Sequence, residues 1–283
     1  CLKSFNTLPL EVYSGFIDYI TAPDLIVATQ LLNKNVDDID LPLITIFMYK
    51  NLHRRLLKYC IYQEVYTTND VAHLMNINSK EVKIVVEFLT YQMRSFVSTA
   101  INSIKQEICE NINFDFTKKD QETLNSVRNL TNIFINGFIK ILPIIPSSIR
   151  FVCSVLNEAS ELKFQKSAFK GIFMAFFFRV IFPILCQPQP TDPPGISVNT
   201  KKMTAFGKIM TSIFVAKKAS LAHLSEIASE HEENINIIFE RLTDCKEPYD
   251  IISQPSFNCA CQMVDIIRKN SQKKISKLIF GYK

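Results

Sequence analysis

Apolar side chains between Val82 and Ile108 recur every three or four residues, over about seven helical turns. This spacing places them on one face of an amphipathic helix. A second stripe runs from Val127 to Ile141, and Ser147, which follows a proline, is expected to cap the next helix. The chain has only six glycines, which leaves few positions for tight hairpin turns. We therefore predict an all-α fold.

Charge and cysteine usage exclude several classes of protein. The net charge is +5, and the basic residues cluster only near the end of the chain, at Arg268, Lys269, Lys273, Lys274 and Lys277. We interpret this cluster as a solvated helix face and predict no nucleic-acid binding. The eight cysteines have irregular spacing, which fits neither a disulfide framework nor a zinc site and indicates reduced thiols in the cytoplasm.

The sequence does not indicate that the chain itself binds a metal ion or a nucleotide. The four histidines show no metal-ligand spacing, and no glycine-rich phosphate loop is present. His231, beside two glutamates, is predicted to lie on a solvated helix face. The longest apolar stretch, Gly171–Cys186, is short for a membrane span and contains an arginine, so we predict that it is a core helix. No targeting peptide is visible.

That arginine, Arg179, interrupts the apolar run from Phe176 to Pro183. An unpaired guanidinium in a protein core is costly, so we expect backbone carbonyls or a carboxylate to satisfy its donors. Pro183 cannot donate to the Arg179 carbonyl and is expected to bend the helix. The run predicts a buried helix that holds a neighbouring segment through Arg179. The alternative is a core helix whose arginine reaches the surface.

Three sequence blocks resemble motifs of Ras GTPase-activating protein (RasGAP) domains. The segment Phe177–Pro188 is similar to the family's Phe-Leu-Arg-x-x-x-Pro-Ala-Ile-x-x-Pro signature. The segment Ile145–Leu156 resembles its Pro-x-x-(Leu/Met)-Arg helix, most closely in the version of the IQ-motif-containing GAP-related scaffolds. Met203–Met210 resembles its Leu-x-x-Ile-Ala-Lys-x-Leu helix. The blocks follow the family's order, and the resemblance extends over roughly residues 40–245.

The resemblance implies a single elongated helical domain of the RasGAP type over residues 1–283, with a core at about 40–245 and flanking helices at both ends. It also implies a partner, a small GTPase of the Ras superfamily, and a role in signal transduction in the cytoplasm. Peripheral membrane association through that partner is one option. GTP and Mg²⁺ belong to the partner, so the chain itself is expected to bind no cofactor.

An active member of this family inserts an arginine finger into the partner's nucleotide site, which for the Ras–GAP pair accelerates hydrolysis by about 10³–10⁵. Aligned on Phe47 and Leu52, the chain has Met48 at the finger position. A thioether carries no charge and only a weak acceptor, so it cannot stabilise the transferred phosphoryl group in this way. The resemblance therefore implies a domain that binds a GTPase without finger catalysis, in which Met48→Arg is expected to restore measurable acceleration.

Other interpretations of this segment remain open. If the alignment is displaced, Arg54, Arg55 or Lys50 approaches the nucleotide, and the chain is an active GTPase-activating protein. Met48 is otherwise an ordinary core residue. A further alternative is a helical scaffold unrelated to GTPases, which has no reason to bring the candidate residues together.

The resemblance implies one shallow groove lined by Met48, Arg179 and Lys208. In that groove the Arg179 guanidinium is expected to donate to the backbone of the Phe47–Asn51 segment. Thr211 stands where the family usually has a glutamine. The candidate GTPase-binding residues are Phe47, Met48, Tyr49, Phe178, Arg179, Lys208 and Thr211.

Overall fold

The computed structural model describes residues 8–33, 36, 38–76, 79–96, 100–116, 118, 120–166, 168–190, 192–215, 222–245 and 254–271. Their regular structure is helical, and no β-strand occurs among them, which confirms the all-α prediction. The α-helices are α1 (Leu10–Ile20), α2 (Ile26–Asn33), α3 (Asp40–Tyr49), α4 (His53–Thr67), α5 (Lys80–Phe96), α6 (Asn102–Asn111), α7 (Gln121–Ile141), α8 (Ser147–Phe164), α9 (Phe169–Ile172), α10 (Phe182–Cys186), α11 (Thr200–Val215), α12 (Ala222–Glu230), α13 (Glu232–Thr243) and α14 (Phe257–Ser271).

The contacts within the chain define two compact units. The first consists of the described parts of Cys1–Glu64, Asn78–Phe88 and Ile252–Lys283, and the second of those of Val65–Ile77 and Leu89–Ile251. The prediction of one domain over 1–283, with a core at about 40–245, stays a prediction.

Helix α3 forms the centre of the first unit. It is apolar on all sides, and eight of its ten residues are buried, as expected for a helix surrounded by protein. Helices α1 and α14 complete this core: α14 packs on α3 and on α1, and the Tyr13 hydroxyl of α1 donates to Asp265 of α14 at 2.7 Å. Arg268 and Lys269 lie in the last turn of α14, whereas Lys273, Lys274 and Lys277 lie outside the described residues.

A cluster of phenylalanine rings forms the core of the second unit. The Phe134 centroid on α7 lies 5.8–6.3 Å from those of neighbouring rings, and several pairs have the edge-to-face geometry that aromatic rings prefer. Each such ring that leaves water contributes about 1.5–3 kcal/mol. The cluster contains Phe134, Phe138, Phe173, Phe176, Phe177, Phe182, Phe206, Phe214 and Phe239.

The predicted core helix runs continuously from Phe169 to Cys186. Its ends are α9 and α10, and between them Phe173–Ile181 is a π-helix. The register at its end is that of a π-helix, because the Phe182 N–H donates to the Phe177 carbonyl, five residues earlier. Pro183 then lies in the first turn of α10, where a missing N–H is tolerated. Pro183 therefore coincides with a return to α-helical bonding.

This helix is also long and apolar enough, by length and composition alone, to cross a membrane, and a mostly buried core helix passes the same test. Phe173, Phe176 and Phe177 are fully buried among the rings of the second unit. That burial agrees with the predicted core helix.

The amphipathic stripes appear as helices. Helix α7 covers the whole Val127–Ile141 stripe, which confirms that prediction. The Val82–Ile108 stripe is carried by α5 and α6, and residues 97–99 between them lie outside the described residues.

Two local predictions are wrong. Pro146, not Ser147, occupies the N-cap position of α8, because its extended backbone precedes the first helical residue. His231 is only 5 % exposed, although the neighbouring Glu232 and Glu233 are exposed. His231, the N-cap residue of α13, therefore does not lie on the predicted solvated face.

Candidate functional site

Arg179 holds a turn from another part of the second unit. Its Nη2 donates to the Asn76 carbonyl at 3.0 Å. Asn76 follows Met75, whose φ of 58° is left-handed and unfavourable for a side chain of this size. The half-buried guanidinium thus fixes the end of a strained turn, which confirms that the arginine binds the backbone of a neighbouring segment.

The same turn also contacts the helix that carries Arg179 near its start, at Gly171. A Cβ atom at Gly171 in α9 would lie 2.9 Å from the Leu74 Cβ, closer than real Cβ contacts. Gly171 and Arg179 are eight residues apart and hold two neighbouring points of the turn, Leu74 and Asn76. The turn approaches the helix closely at Leu74 and accepts a hydrogen bond from it at Asn76. These two contacts fix the place of Arg179 relative to the turn.

Three further candidate side chains lie at the surface of the second unit. Phe178 is 46 % exposed, although the phenylalanines immediately before it are fully buried. Lys208 on α11 is exposed, and Thr211 is half-buried with its hydroxyl donating to the Gly207 carbonyl at 2.8 Å. Gly207 itself lies against the Phe182 ring, so α11 approaches α10 closely beside Lys208.

A buried lysine anchors the proline-rich loop that joins α10 to α11. Lys105 of α6 has no exposed surface, and its Nζ donates to the Ile184 and Gln187 carbonyls at 3.1 and 2.7 Å. The same ammonium lies 2.7 Å from both carboxylate oxygens of Asp192 in the loop. The single ammonium of Lys105 therefore both satisfies carbonyls at the C-terminal end of α10 and holds the loop through Asp192. Burial raises the pKa of the nearby Cys186 thiol to about 11, although the Lys105 charge lowers it.

The predicted finger segment is the last turn of α3 and is closed by a Schellman motif. Asn51 has a left-handed φ of 56°, its N–H donates to the Met48 carbonyl at 3.0 Å, and the Leu52 N–H donates to the Phe47 carbonyl at 2.8 Å. The side chains of Phe47 and Met48 point into the first unit and are 0 % and 1 % exposed. The last two residues of the segment, Lys50 and Asn51, are exposed.

Several cations surround this helix end. Lys50 pairs with Asp18 at 2.7 Å, and both side chains are well exposed. Arg54 is half-buried and Arg55 exposed in the first turn of α4. Tyr49 is half-buried, with its ring 5.7 Å from Phe257 of α14. Arg55 is thus the arginine of this segment that is most accessible to a partner.

Two buried titratable groups flank the same core. Burial, together with the smaller effect of the Arg54 charge, lowers the pKa of His53 from 6.5 to about 4. The His53 ring stacks on Phe88 at 5.4 Å, and its Nδ1 has no hydrogen-bond partner among the described residues. Burial also raises the pKa of Asp40, against the lowering effect of Lys80, whose Nζ lies 3.8 Å away.

The structure therefore groups the candidate residues as two sets. Phe178, Arg179, Lys208 and Thr211 belong to the second unit, and Phe47, Met48 and Tyr49 to the first. The prediction that residues of both sets line one groove stays a prediction, as does an Arg179 hydrogen bond to the Phe47–Asn51 segment. In the described part of the chain, no group of three or more His, Cys, Asp and Glu side chains could hold a metal ion.

Sequence reasoning missed Lys105. The signal was present, because Ile101, Ile104, Lys105 and Ile108 occupy the positions i, i+3, i+4 and i+7 of one helix face. A lysine inside such a stripe predicts a buried cation with acceptors around it. Its main acceptor, Asp192, is 87 residues away and could not be paired with it by spacing.

Comparison with protein families finds a match to the RasGAP model, described as a GTPase-activator protein for Ras-like GTPases, over residues 114–215. The match spans little more than a third of the chain and includes the three blocks that resemble this family. It includes Phe178, Arg179, Lys208 and Thr211, and it excludes the segment around Met48. A comparison with curated proteins found no match. The family match supports a Ras GTPase-activator-like function and an interaction with Ras-like small GTPases.

Proposed function

We propose that this chain binds a Ras-like small GTPase through the surface around Phe178, Arg179, Lys208 and Thr211. The observation that carries the proposal is the agreement between the family match over residues 114–215 and the exposed side chains within it. Phe178 supplies an exposed apolar contact and Lys208 an exposed positive charge. Arg179 positions Phe178, because its bond to Asn76 fixes the helix on which both residues lie.

The proposed binding occurs without an arginine finger. At the aligned position Met48 is an uncharged side chain buried within its own unit. It cannot reach a nucleotide held by another protein, and it has no charge to offer a transferred phosphoryl group. In this respect the chain is similar to the IQ-motif-containing GAP-related scaffolds, and we propose the role of a cytoplasmic effector or scaffold in signal transduction, with GTP and Mg²⁺ on the partner.

Binding to GTP- and GDP-loaded Ras-family proteins, measured by calorimetry, tests the proposal. Lys208→Glu and Phe178→Ala are expected to weaken binding by about tenfold each, because interfacial charge and apolar anchors of this kind contribute about 1–2 kcal/mol. Lys140→Glu, an exposed lysine on α7, is the matched control and is expected to bind normally. Equal loss in the control, or no binding to any member of the panel, would contradict the proposed surface.

The second candidate function is an active GTPase-activating protein that uses Arg55. The observation in its favour is the exposure of this arginine directly after the Schellman end of α3. Single-turnover GTP hydrolysis by the bound partner separates the two candidates. The finger-less proposal predicts acceleration far below the finger effect of about 10³, unchanged in Arg55→Ala. Strong acceleration that Arg55→Ala abolishes would establish the second candidate instead.

A further inference from the structure

Helices α12 and α13 carry an unusual concentration of negative charge. The chain has a net charge of +5, yet these two helices contain five glutamates and a single arginine, Arg241. Arg128 of α7 pairs with two of the glutamates, at 2.8 Å to Glu230 and 3.6 Å to Glu226. The other three, Glu232, Glu233 and Glu240, are exposed and lie along α13.

The acidic face borders a cavity of mixed polar and apolar lining within the second unit. The cavity has a volume of about 210 Å³ and lies where α9, α11, α12 and α13 meet. Its apolar lining consists of Phe169, Ile213, Phe214, Ala228 and Ile235. The other four lining residues, Ser225, Ser229, Glu232 and Asn236, are polar. Apolar and polar side chains therefore share the cavity, and Glu232 supplies its acidic group.

A second, more open cleft continues from the same rim. It has a volume of about 540 Å³ and shares Ser229, Glu232 and Asn236 with the first cavity. Its other lining residues are Glu233, Ile237 and Glu240. Glu240 lies eight positions after Glu232, which is about 12 Å along α13, so the cleft follows just over two helical turns.

We infer that this groove of α11, α12 and α13 docks a basic amphipathic helix of a partner protein. An apolar anchor of the partner fills the 210 Å³ cavity, and lysines or arginines one to two turns away meet Glu233 and Glu240. A helix with an apolar stripe flanked by cations matches the five apolar lining residues of the cavity and the glutamates of the adjoining cleft. Helices α12 and α13 lie outside the RasGAP match, whereas Phe169, Ile213 and Phe214 of the lining lie within it. The groove therefore adjoins α11, the helix that also carries Lys208 and Thr211 of the proposed GTPase site.

Other ligands fit the groove less well. A metal ion would need a cluster of ligating side chains, and the described residues contain no such group of three or more. Nucleic acids and anionic membranes are repelled by three exposed glutamates. A second copy of this chain is the remaining occupant, and the experiment distinguishes it.

The test uses the complete chain and a short fluorescein-labelled helix of leucine and lysine, with the leucines on one face, followed by fluorescence anisotropy. Saturable binding that weakens with salt is expected. Ser229→Arg places a long cation where the two clefts meet and is expected to weaken binding at least tenfold. Glu233→Lys/Glu240→Lys removes the complementary charge and is also expected to weaken binding at least tenfold, although neither residue lines the 210 Å³ cavity.

The matched control is Glu107→Lys/Glu110→Lys, a pair of acidic residues on α6, which is expected to bind as the unmodified chain does. A helix of leucine and glutamate is expected not to bind. Equal loss in the control pair would show attraction to overall charge and overturn the proposal, as would full binding by Ser229→Arg. Self-association of the unmodified chain in sedimentation, abolished by Ser229→Arg, would assign the groove to a second copy and equally overturn it.

Discussion

Replacing Lys105 by methionine should destabilise the second unit strongly. Methionine keeps an unbranched side chain of similar length, so the substitution removes the charge and its three N–H donors with little change in volume. Asp192, whose side chain is only 12 % exposed, then keeps a negative charge without its ammonium partner, and the Ile184 and Gln187 carbonyls lose their donor.

Breaking a buried ion pair on one side costs about 3–5 kcal/mol. We expect a loss of about 3 kcal/mol for Lys105→Met, at the low end of this range. Asp192 keeps some exposure to water, and the Gln189 N–H still donates to it at 2.8 Å. Asp192→Asn should cost a similar amount, about 3 kcal/mol, because the fully buried Lys105 ammonium then keeps carbonyl and amide acceptors but no counter-charge. The double variant should be more stable than Lys105→Met alone, since no uncompensated carboxylate remains.

Urea unfolding followed by circular dichroism measures these differences as midpoint shifts at constant slope. Lys140→Met, an exposed lysine on α7, is the matched control and should lie within about 0.5 kcal/mol of the unmodified chain. A loss below about 1 kcal/mol for Lys105→Met, or additive effects in the double variant, would refute the argument that a buried charge is left unpaired.

Three further predictions concern neighbouring features. Arg179→Ala should lower the free energy of unfolding by about 2 kcal/mol through the lost bond to Asn76, and Arg179→Lys should recover only part of it; equal thermal midpoints would contradict this. His53 is neutral when folded, so stability should fall as pH decreases from about 6.5 towards 4, by up to about 3 kcal/mol; His53→Leu should flatten that slope in urea titrations. Gly171→Ala should cost about 1–3 kcal/mol because its Cβ meets Leu74, and an unchanged melting temperature would show that the turn yields freely.

The helical fold was predictable because local spacing encodes it. The Val127–Ile141 stripe specified α7, since the period of its apolar residues is a property of the helix itself. The π-helical register of Phe173–Ile181 was not predictable, because a run of consecutive apolar residues has no period that distinguishes π-helical from α-helical bonding. Ser147 was misplaced by one position, since a proline at the N-cap gives the same pattern as a proline before a capping serine.

The candidate site was predictable only in part. An arginine in an apolar run correctly indicated a bond to a distant backbone, but spacing could not identify Asn76 as its acceptor, 103 residues away. His231 was assigned to a solvated face because the residues that follow it are charged, although its own side chain is buried. Met48 could be aligned as a finger position, yet the sequence did not show that its side chain points into the core.

The Schellman end of α3 makes the proposed loss of the finger hard to reverse in evolution. A methionine codon becomes an arginine codon through a single base change, so the chemical group itself is easily regained. At position 48, however, the new guanidinium would enter the closed core of the first unit, at a cost of several kcal/mol, which is a large fraction of a typical stability margin of about 5–15 kcal/mol. Met48→Arg is therefore expected to unfold α3 rather than to restore catalysis, and a return to activity would require lengthening the helix end at Asn51 into an exposed loop.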